Sequence, residues 1–255
     1  MFRQPVSFLA FSCPHVPLLD EHAHEFLLDQ LAKHQPDIVI HLGDGHEADS
    51  ASRWPTEYTW DLADEYREHN AFLESIRLTV PKAKKIFCQG NHDNNLLSIA
   101  RLDKKIRSLT HWKHWEPELA SWEIIDYVYC RKNGCYRIGD VVFTHGFEAG
   151  TSADELQALY FANEYGLYVG GHTHRPLAGV PRQAMRTKTR PLRYFYTNPG
   201  CLRDLKPDYM LRQRSELWGH GVTIGVAETY RHRNRYTCNW EAETVVLRYY
   251  DEEVK

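Results

Sequence analysis

Five short polar clusters follow one another along this chain: Cys13-Pro14-His15, Gly43-Asp44, Gly90-Asn91-His92-Asp93, Thr144-His145-Gly146 and Gly171-His172-Thr173-His174. Between them they offer imidazole, carboxylate, an amide carbonyl and a thiol. That mixture suits divalent transition metals better than Ca²⁺ or Mg²⁺, which favour oxygen donors. Residues i and i+2 of an extended segment point to the same side. Cys13 and His15 are therefore expected to face one cavity, as are His172 and His174. Asp44 has two carboxylate oxygens and can bridge two cations. With Asn91 and His145 the candidate ligands are Cys13, His15, Asp44, Asn91, His145, His172 and His174. Shared between two ions, such a set leaves positions open for water and substrate.

Alone, each cluster has an ordinary explanation. Gly-Asp is a common turn, Asn-His-Asp suits a helix N-cap, and an isolated His-x-His is more often surface or core than ligand. The inference rests on their order and on their placement, since most follow a short apolar run and so sit where a strand ends. Open α/β sheets build their sites at the carboxyl ends of strands.

The elements that must position these clusters are legible in the periodicity. Val6 to Cys13 and Ile38 to Ile40 are strand-like runs separated by a helical pattern from Asp20 to His34, which stops before Pro36. Strand, helix, strand argues for a parallel sheet. A loop over Gly45 to Pro55 precedes a helix from about Leu62 to Leu78, and Lys85 to Cys88 is a third strand leading to Gly90. A helix is expected from Asn95 to Leu109. Residues 110–122, rich in tryptophan, show no period. Ile124 to Tyr129, Tyr136 to Ile138 and Val141 to Phe143 read as strands, partly antiparallel, and Ser152 to Glu164 as a helix. Leu167 to Val169, Arg193 to Thr197, Val222 to Glu228 and Val245 to Tyr249 read as the later strands. No repeat or linker interrupts the pattern, so a single domain over 1–255 is expected, with a basic insertion near 178–196.

Composition sets broad bounds. With 255 residues, 42% hydrophobic and 25% charged, the chain can bury a large core without disulfides. A net charge of −3 offers no global attraction to nucleic acid or membrane. Six cysteines form no CxxC pair, and Cys130 and Cys135, flanking a hairpin-like turn, read as reduced thiols of a cytoplasmic protein. The apolar residues 6–13 are short for a signal core and read as a buried strand. No stretch approaches the length needed to span a bilayer.

The five clusters resemble the calcineurin-like metallophosphoesterase family, whose signature runs Asp-x-His, Gly-Asp, Gly-Asn-His-Asp/Glu, a histidine near a glycine, and Gly-His-x-His. Asn198-Pro199-Gly200 is similar to the family's downstream turn. The resemblance implies an α/β fold, a four-layer β-sandwich of two mixed sheets flanked by helices. It implies a binuclear centre of two divalent ions (Zn, Fe or Mn) in which Asp44 bridges. His15 and His174 would hold one ion with Cys13 beside them, and Asn91, His145 and His172 the other. His92 would act as general acid on the leaving group, with Asp93 as its orienting partner.

Cys13 stands where the family has aspartate. A thiolate is softer than a carboxylate and favours Zn or Fe(II) over Mg or Mn. RNA lariat debranching enzymes are similar at this one place. The implied chemistry is hydrolysis of a phosphate ester by a metal-activated water, with no phosphoenzyme intermediate. The expected enzyme is a phosphodiesterase or nuclease-like hydrolase. A phosphomonoesterase acting on nucleotides or phosphoproteins is the alternative, and a metal-bearing interaction scaffold weakened by Cys13 is the alternative of another class.

Substrate contacts are expected from the loop after Asp44, where His46, Glu47 and Arg53 lie, with His46 and Arg53 the candidates. Arg182, Arg186, Lys188, Arg190 and Arg193, followed by Arg203, Lys206, Arg212 and Arg214, could rim the site for a nucleotide or nucleic acid. Tyr194, Tyr196, Tyr209 and Trp218 are candidate stacking faces. An ordinary solvated loop explains the same residues.

Overall fold

A computed structural model describes residues 5–51, 60–95, 116–127, 134–161, 166–179, 194–206, 216–232 and 235–248. The predicted alternation of apolar strands and amphipathic helices is present at its start: β1 (Val6–Phe11), α1 (Glu21–His34), β2 (Ile38–His41), α2 (Leu62–Thr79) and β3 (Lys84–Cys88). Asp20 and Asp61 cap the two helices, each accepting a hydrogen bond from a first-turn amide. A short 3₁₀ turn (Pro117–Ser121) then leads to β4 (Glu123–Ile125).

The second half contributes β5 (Tyr136–Ile138), β6 (Val141–Thr144), α3 (Ala153–Phe161), β7 (Leu167–Gly170), β8 (Leu177–Gly179), β9 (Phe195–Asn198), β10 (Gly221–His232) and β11 (Arg235–Val246). The strands form two mixed sheets, one ordered β11-β10-β1-β2-β3-β4 and the other β5-β6-β7-β9-β8. β1, β2, β3 and β4 run parallel, as do β6, β7 and β9.

Alternation along the strands explains the layers. Phe8, Ala10, Ile40 and Ile86 face Val141, Phe143, Leu167 and Val169, making the core between the sheets. Leu9, Phe11, Val39 and Phe87, one residue out of phase, meet Leu27, Leu31, Phe72 and Ile76 of α1 and α2. Val142 and Tyr168 meet Ala158 and Phe161 of α3 on the far side. Each of the valine, leucine, isoleucine and phenylalanine side chains contributes about 1.5–3 kcal/mol on burial. The result is the four-layer α/β sandwich of two mixed sheets flanked by helices.

Three details differ from the sequence reading. β11 begins at Arg235 rather than 245, because glutamates mask its period. Glu241 and Glu243 are exposed while Ala242 and Thr244 are half-buried, as on an edge strand. β4 stops at Ile125 rather than 129, and β8 had no visible signal in its three residues. The expected helix over 95–109 and the Cys130–Cys135 turn fall outside the described residues, as does most of the basic insertion. Among the described residues no helix is long and apolar enough to cross a membrane.

Candidate metal centre

The strands stop short of the clusters, and loops carry them. β1 ends at Phe11 and β2 at His41, yet the two chains continue side by side. Cys13 N donates to Gly43 O and His15 N to Asp44 O, both at 3.0 Å. On the second sheet Gly171 N donates to His145 O at 3.0 Å. The parallel pairing of each sheet thus extends into the loops and sets the clusters beside one another.

Cys13, His15, Asp44, His172 and His174 have φ of 54°, 46°, 52°, 68° and 61°. Left-handed backbone is uncommon for residues other than glycine. Each instance costs about 1–3 kcal/mol and such residues gather at functional sites. The i, i+2 pairs do converge, but by this left-handed turn and not by strand alternation, which is a correction to the sequence expectation.

The ligand atoms of Cys13, His15 and His174 lie within 4.8 Å of one another, and so do those of Cys13, Asp44 and His145. His15 Nε2 is 3.2 Å from His174 Nε2. His145 Nε2 is 3.1 Å from Asn91 Oδ1, 3.2 Å from His172 Nδ1 and 3.1 Å from Asp44 Oδ2. A tetrahedral ion with bonds of about 2.0–2.1 Å to nitrogen has ligand-to-ligand edges of about 3.3 Å. The spacing fits a metal ion in each group, with Asp44 reaching both, since its Oδ2 is also 3.6 Å from His15 Nε2.

Protonation supports the fit. His145 Nδ1 is 2.7 Å from the Leu42 carbonyl. A carbonyl only accepts, so Nδ1 carries a proton toward Leu42 and Nε2 faces Asn91, Asp44 and His172. Burial lowers the pKa of His15 against the pull of Glu47, and burial with His15 nearby drives His174 well below the usual range. Burial and the neighbouring His145 bring His172 down to about 4. Neutral ring nitrogens therefore converge on shared points, an arrangement that a cation resolves. Burial, then Asp44, pushes the Cys13 thiol well up, so a bound cation is what would hold it as thiolate. Burial alone would raise Asp44, but His145 and His92 hold it well below the carboxylate range.

Residues 6–176 match the calcineurin-like phosphoesterase family. The chain belongs to that family. Among solved structures, Vps29 of Chaetomium thermophilum is similar over 98% of this chain and 100% of that chain, at 13% identity and a TM-score of 0.43. Vacuolar Protein Sorting 29 of Cryptosporidium parvum is similar over 95% and 100%, at 12% identity and 0.40. A single mutant of Vps29 from Entamoeba histolytica gives 95% and 99%, at 10% identity and 0.38. No curated protein matches the chain.

Asp93 makes no hydrogen bond to the His92 ring among the described residues. Its carboxylate accepts from the amides of Asp44 (2.9 Å), Gly45 (3.1 Å) and Gly90 (2.8 Å), so it shapes the turn that carries Asp44. His92 is oriented instead by the Glu47 carbonyl, which accepts from Nδ1 at 2.5 Å, while His92 N donates to Asp44 Oδ1 at 2.9 Å. Burial works against charge on His92, but Asp44 and Glu47 outweigh it and its pKa rises.

His46 is buried, with Nδ1 3.2 Å from Asp93 Oδ1 and Nε2 2.8 Å from Glu116 Oε1. Both ring nitrogens are taken up by carboxylates, so it has none for a substrate. Arg53 lies outside the described residues. Arg203, expected on a basic rim, is fully buried and donates to Glu47 Oε2 at 3.1 Å. Tyr194 is buried against Ala158 and Phe161 and offers no stacking face. Trp218 does stand at the site, its ring centroid 4.2 Å from that of His174.

Two supporting residues carried no recognised signal for these roles. Glu47 Oε2 lies 2.7 Å from His15 Nδ1, on the side of the ring away from His174. Asn198 donates to Gly171 O at 2.8 Å and to Asp154 Oδ1 at 2.9 Å, while Thr173 Oγ1 donates to Asp154 Oδ2 at 3.0 Å. The Asn-Pro-Gly turn thereby fastens the loop that bears His172 and His174. The sequence singled out both positions without showing what either would bind.

Proposed function

We propose that this protein is a metal-dependent phosphoesterase acting on phosphodiesters, with two divalent ions held by Cys13, His15, Asp44, Asn91, His145, His172 and His174. The observation that carries this reading is the pair of ligand groups joined by Asp44, each with nitrogen lone pairs about one metal-ligand edge apart. Ions bound there would supply charge stabilisation for the phosphoryl oxygens and an acidified water.

The protein's own residues do the rest. Leu42 O orients His145, and the Glu47 carboxylate stands 2.7 Å from His15 Nδ1. Asp93 holds the Asp44 turn. His92, with Nδ1 committed to the Glu47 carbonyl and its pKa raised, keeps a proton on Nε2 for the departing alkoxide. Arg203, which acts electrostatically on both His15 and His174, spends its guanidinium on Glu47. Among the described residues the side chains that converge there as donors are histidines, which suits the single negative charge of a diester.

The test is hydrolysis by metal-loaded protein of bis(p-nitrophenyl) phosphate and of p-nitrophenyl phosphate. Turnover of the first supports the reading. Turnover of the second alone makes the protein a monoesterase. Metal uptake with turnover of neither makes it an interaction scaffold.

A further inference from the structure

Behind the Asp44 turn lies a second cluster of titratable side chains that no step above uses. His69 on α2, Glu116 ahead of the 3₁₀ turn, and His46 are 0%, 0% and 3% exposed. Glu116 Oε1 accepts from His46 Nε2 at 2.8 Å and from His69 Nδ1 at 2.5 Å. The other face of His46 reaches Asp93, whose oxygens gather the amides of Asp44, Gly45 and Gly90. His69 packs directly under the turn, because a Cβ added at Gly45 would come within 2.5 Å of its Nε2. The far end is anchored on α2, where Glu118 N donates to Asn70 Oδ1 at 3.0 Å and Arg77 Nε to Glu118 Oε2 at 2.8 Å.

We propose that Glu116 is a positioning residue for the metal centre: by binding His46 and His69 it fixes Asp93 and, through Asp93, the turn that carries Asp44. The inference rests on the metal-centre reading above.

The same residues have the composition of a third metal site, two histidines and a carboxylate. Distances decide against it. The ligand atoms of the main centre stand 3.1–3.2 Å apart, as edges around an ion do. Those of the second cluster stand 2.5 and 2.8 Å apart, the separation of two atoms that share a proton. Buried partners of this kind hold the groups that ligate metal, and their loss typically weakens metal affinity by about 10–100-fold.

The experiment measures metal stoichiometry and affinity by calorimetry and elemental analysis at about 25 °C, in folded samples of wild type, Glu116→Gln, His46→Asn and the double variant. Leu27→Ala, on the buried face of α1, is the control for general destabilisation. Wild type is expected to take two equivalents. Each single variant should bind about 10–100-fold more weakly. The double variant should lose no more than the worse single one, since both act along one path. Leu27→Ala should lower Tm and leave affinity unchanged. Glu116→Gln binding as wild type does would overturn the inference, as would three equivalents in wild type falling to two in Glu116→Gln. If Glu116→Gln fails to fold, His46→Asn carries the same comparison. Wild type that takes up no metal instead overturns the reading on which the inference rests.

Discussion

The Glu47 carboxylate lies 2.7 Å from His15 Nδ1, and the carbonyl of the same residue accepts from His92 Nδ1 at 2.5 Å. One residue therefore stands against a candidate ligand and sets the direction of the His92 ring. Its charge is matched by Arg203, 3.1 Å away and buried. Glu47→Gln should weaken metal binding by about 10–100-fold, measured by calorimetry. Glu47→Ala adds a second cost, because it strands the Arg203 charge in the interior. Urea unfolding should show a loss of about 3–5 kcal/mol. A stability loss without a change in affinity would mean that Glu47 serves Arg203 alone.

His92→Ala should separate chemistry from metal binding. Loss of a general acid lowers turnover by about 10²–10⁴-fold. Metal content should stay near that of wild type, since no ligand is removed. The deficit should be larger for an alkyl diester than for a p-nitrophenyl one, because p-nitrophenolate departs without a proton. Equal deficits on both substrates would count against the acid role.

Cys13 belongs to both ligand groups, with His15 and His174 and with Asp44 and His145. Its thiolate should bias the centre toward Zn or Fe(II). Cys13→Asp restores a hard donor at the same place and should move the preference toward Mn or Mg, read as the ratio of affinities for Zn and Mn. Cys13→Ala should retain one equivalent at reduced affinity for the second. An unchanged ratio in Cys13→Asp would show that the sulfur lines the cavity without ligating.

Glu65, whose side chain ligates nothing in the candidate centre, gives a pH dependence of stability. Burial raises its pKa to about 7, against a hydrogen bond from Ala48 N to Oε2 at 2.7 Å. The folded pKa lies above the unfolded one, so the favourable contribution is full below about 4.5 and is lost as pH rises through about 7. Glu65→Gln keeps an acceptor for Ala48 and removes the buried charge. It should stabilise the protein by about 1–3 kcal/mol near pH ~8 and by almost nothing near pH ~4, seen in denaturant midpoints.

The convergence of the candidate ligands was legible in the sequence because each is a short polar cluster after an apolar run, and such runs make parallel strands whose ends meet. The layers were legible for the same reason: Phe8 and Leu9 alternate between two cores. What lay beyond reach is the partner of each ligand. Glu47 and His46 are neighbours in sequence, yet one turns to His15 and the other to Glu116, and that depends on left-handed residues no periodicity reveals. Arg203 read as a surface cation because nothing in its sequence neighbourhood announces a buried carboxylate 156 positions away. Glu116 sits in the tryptophan-rich stretch that showed no period.

Gly90 tests whether the centre depends on close backbone approach. A Cβ there would fall on the Asp44 carboxylate and within 2.5 Å of Asp44 N. Gly43, with φ of 97°, meets the same strand from the other side, where a Cβ would come within 2.5 Å of Cys88 O and Gly90 N. The two glycines let the β2 and β3 loops touch, which puts Asp44 at its place between the ligand groups. Gly90→Ala should cost about 1–3 kcal/mol in stability, as overpacking does. The displaced carboxylate should cost far more in function, because Asp44 reaches both groups. Both equivalents of metal should be lost together, in a protein whose circular dichroism remains that of the folded state. Retention of one equivalent would show that Asp44 serves one ion and does not bridge.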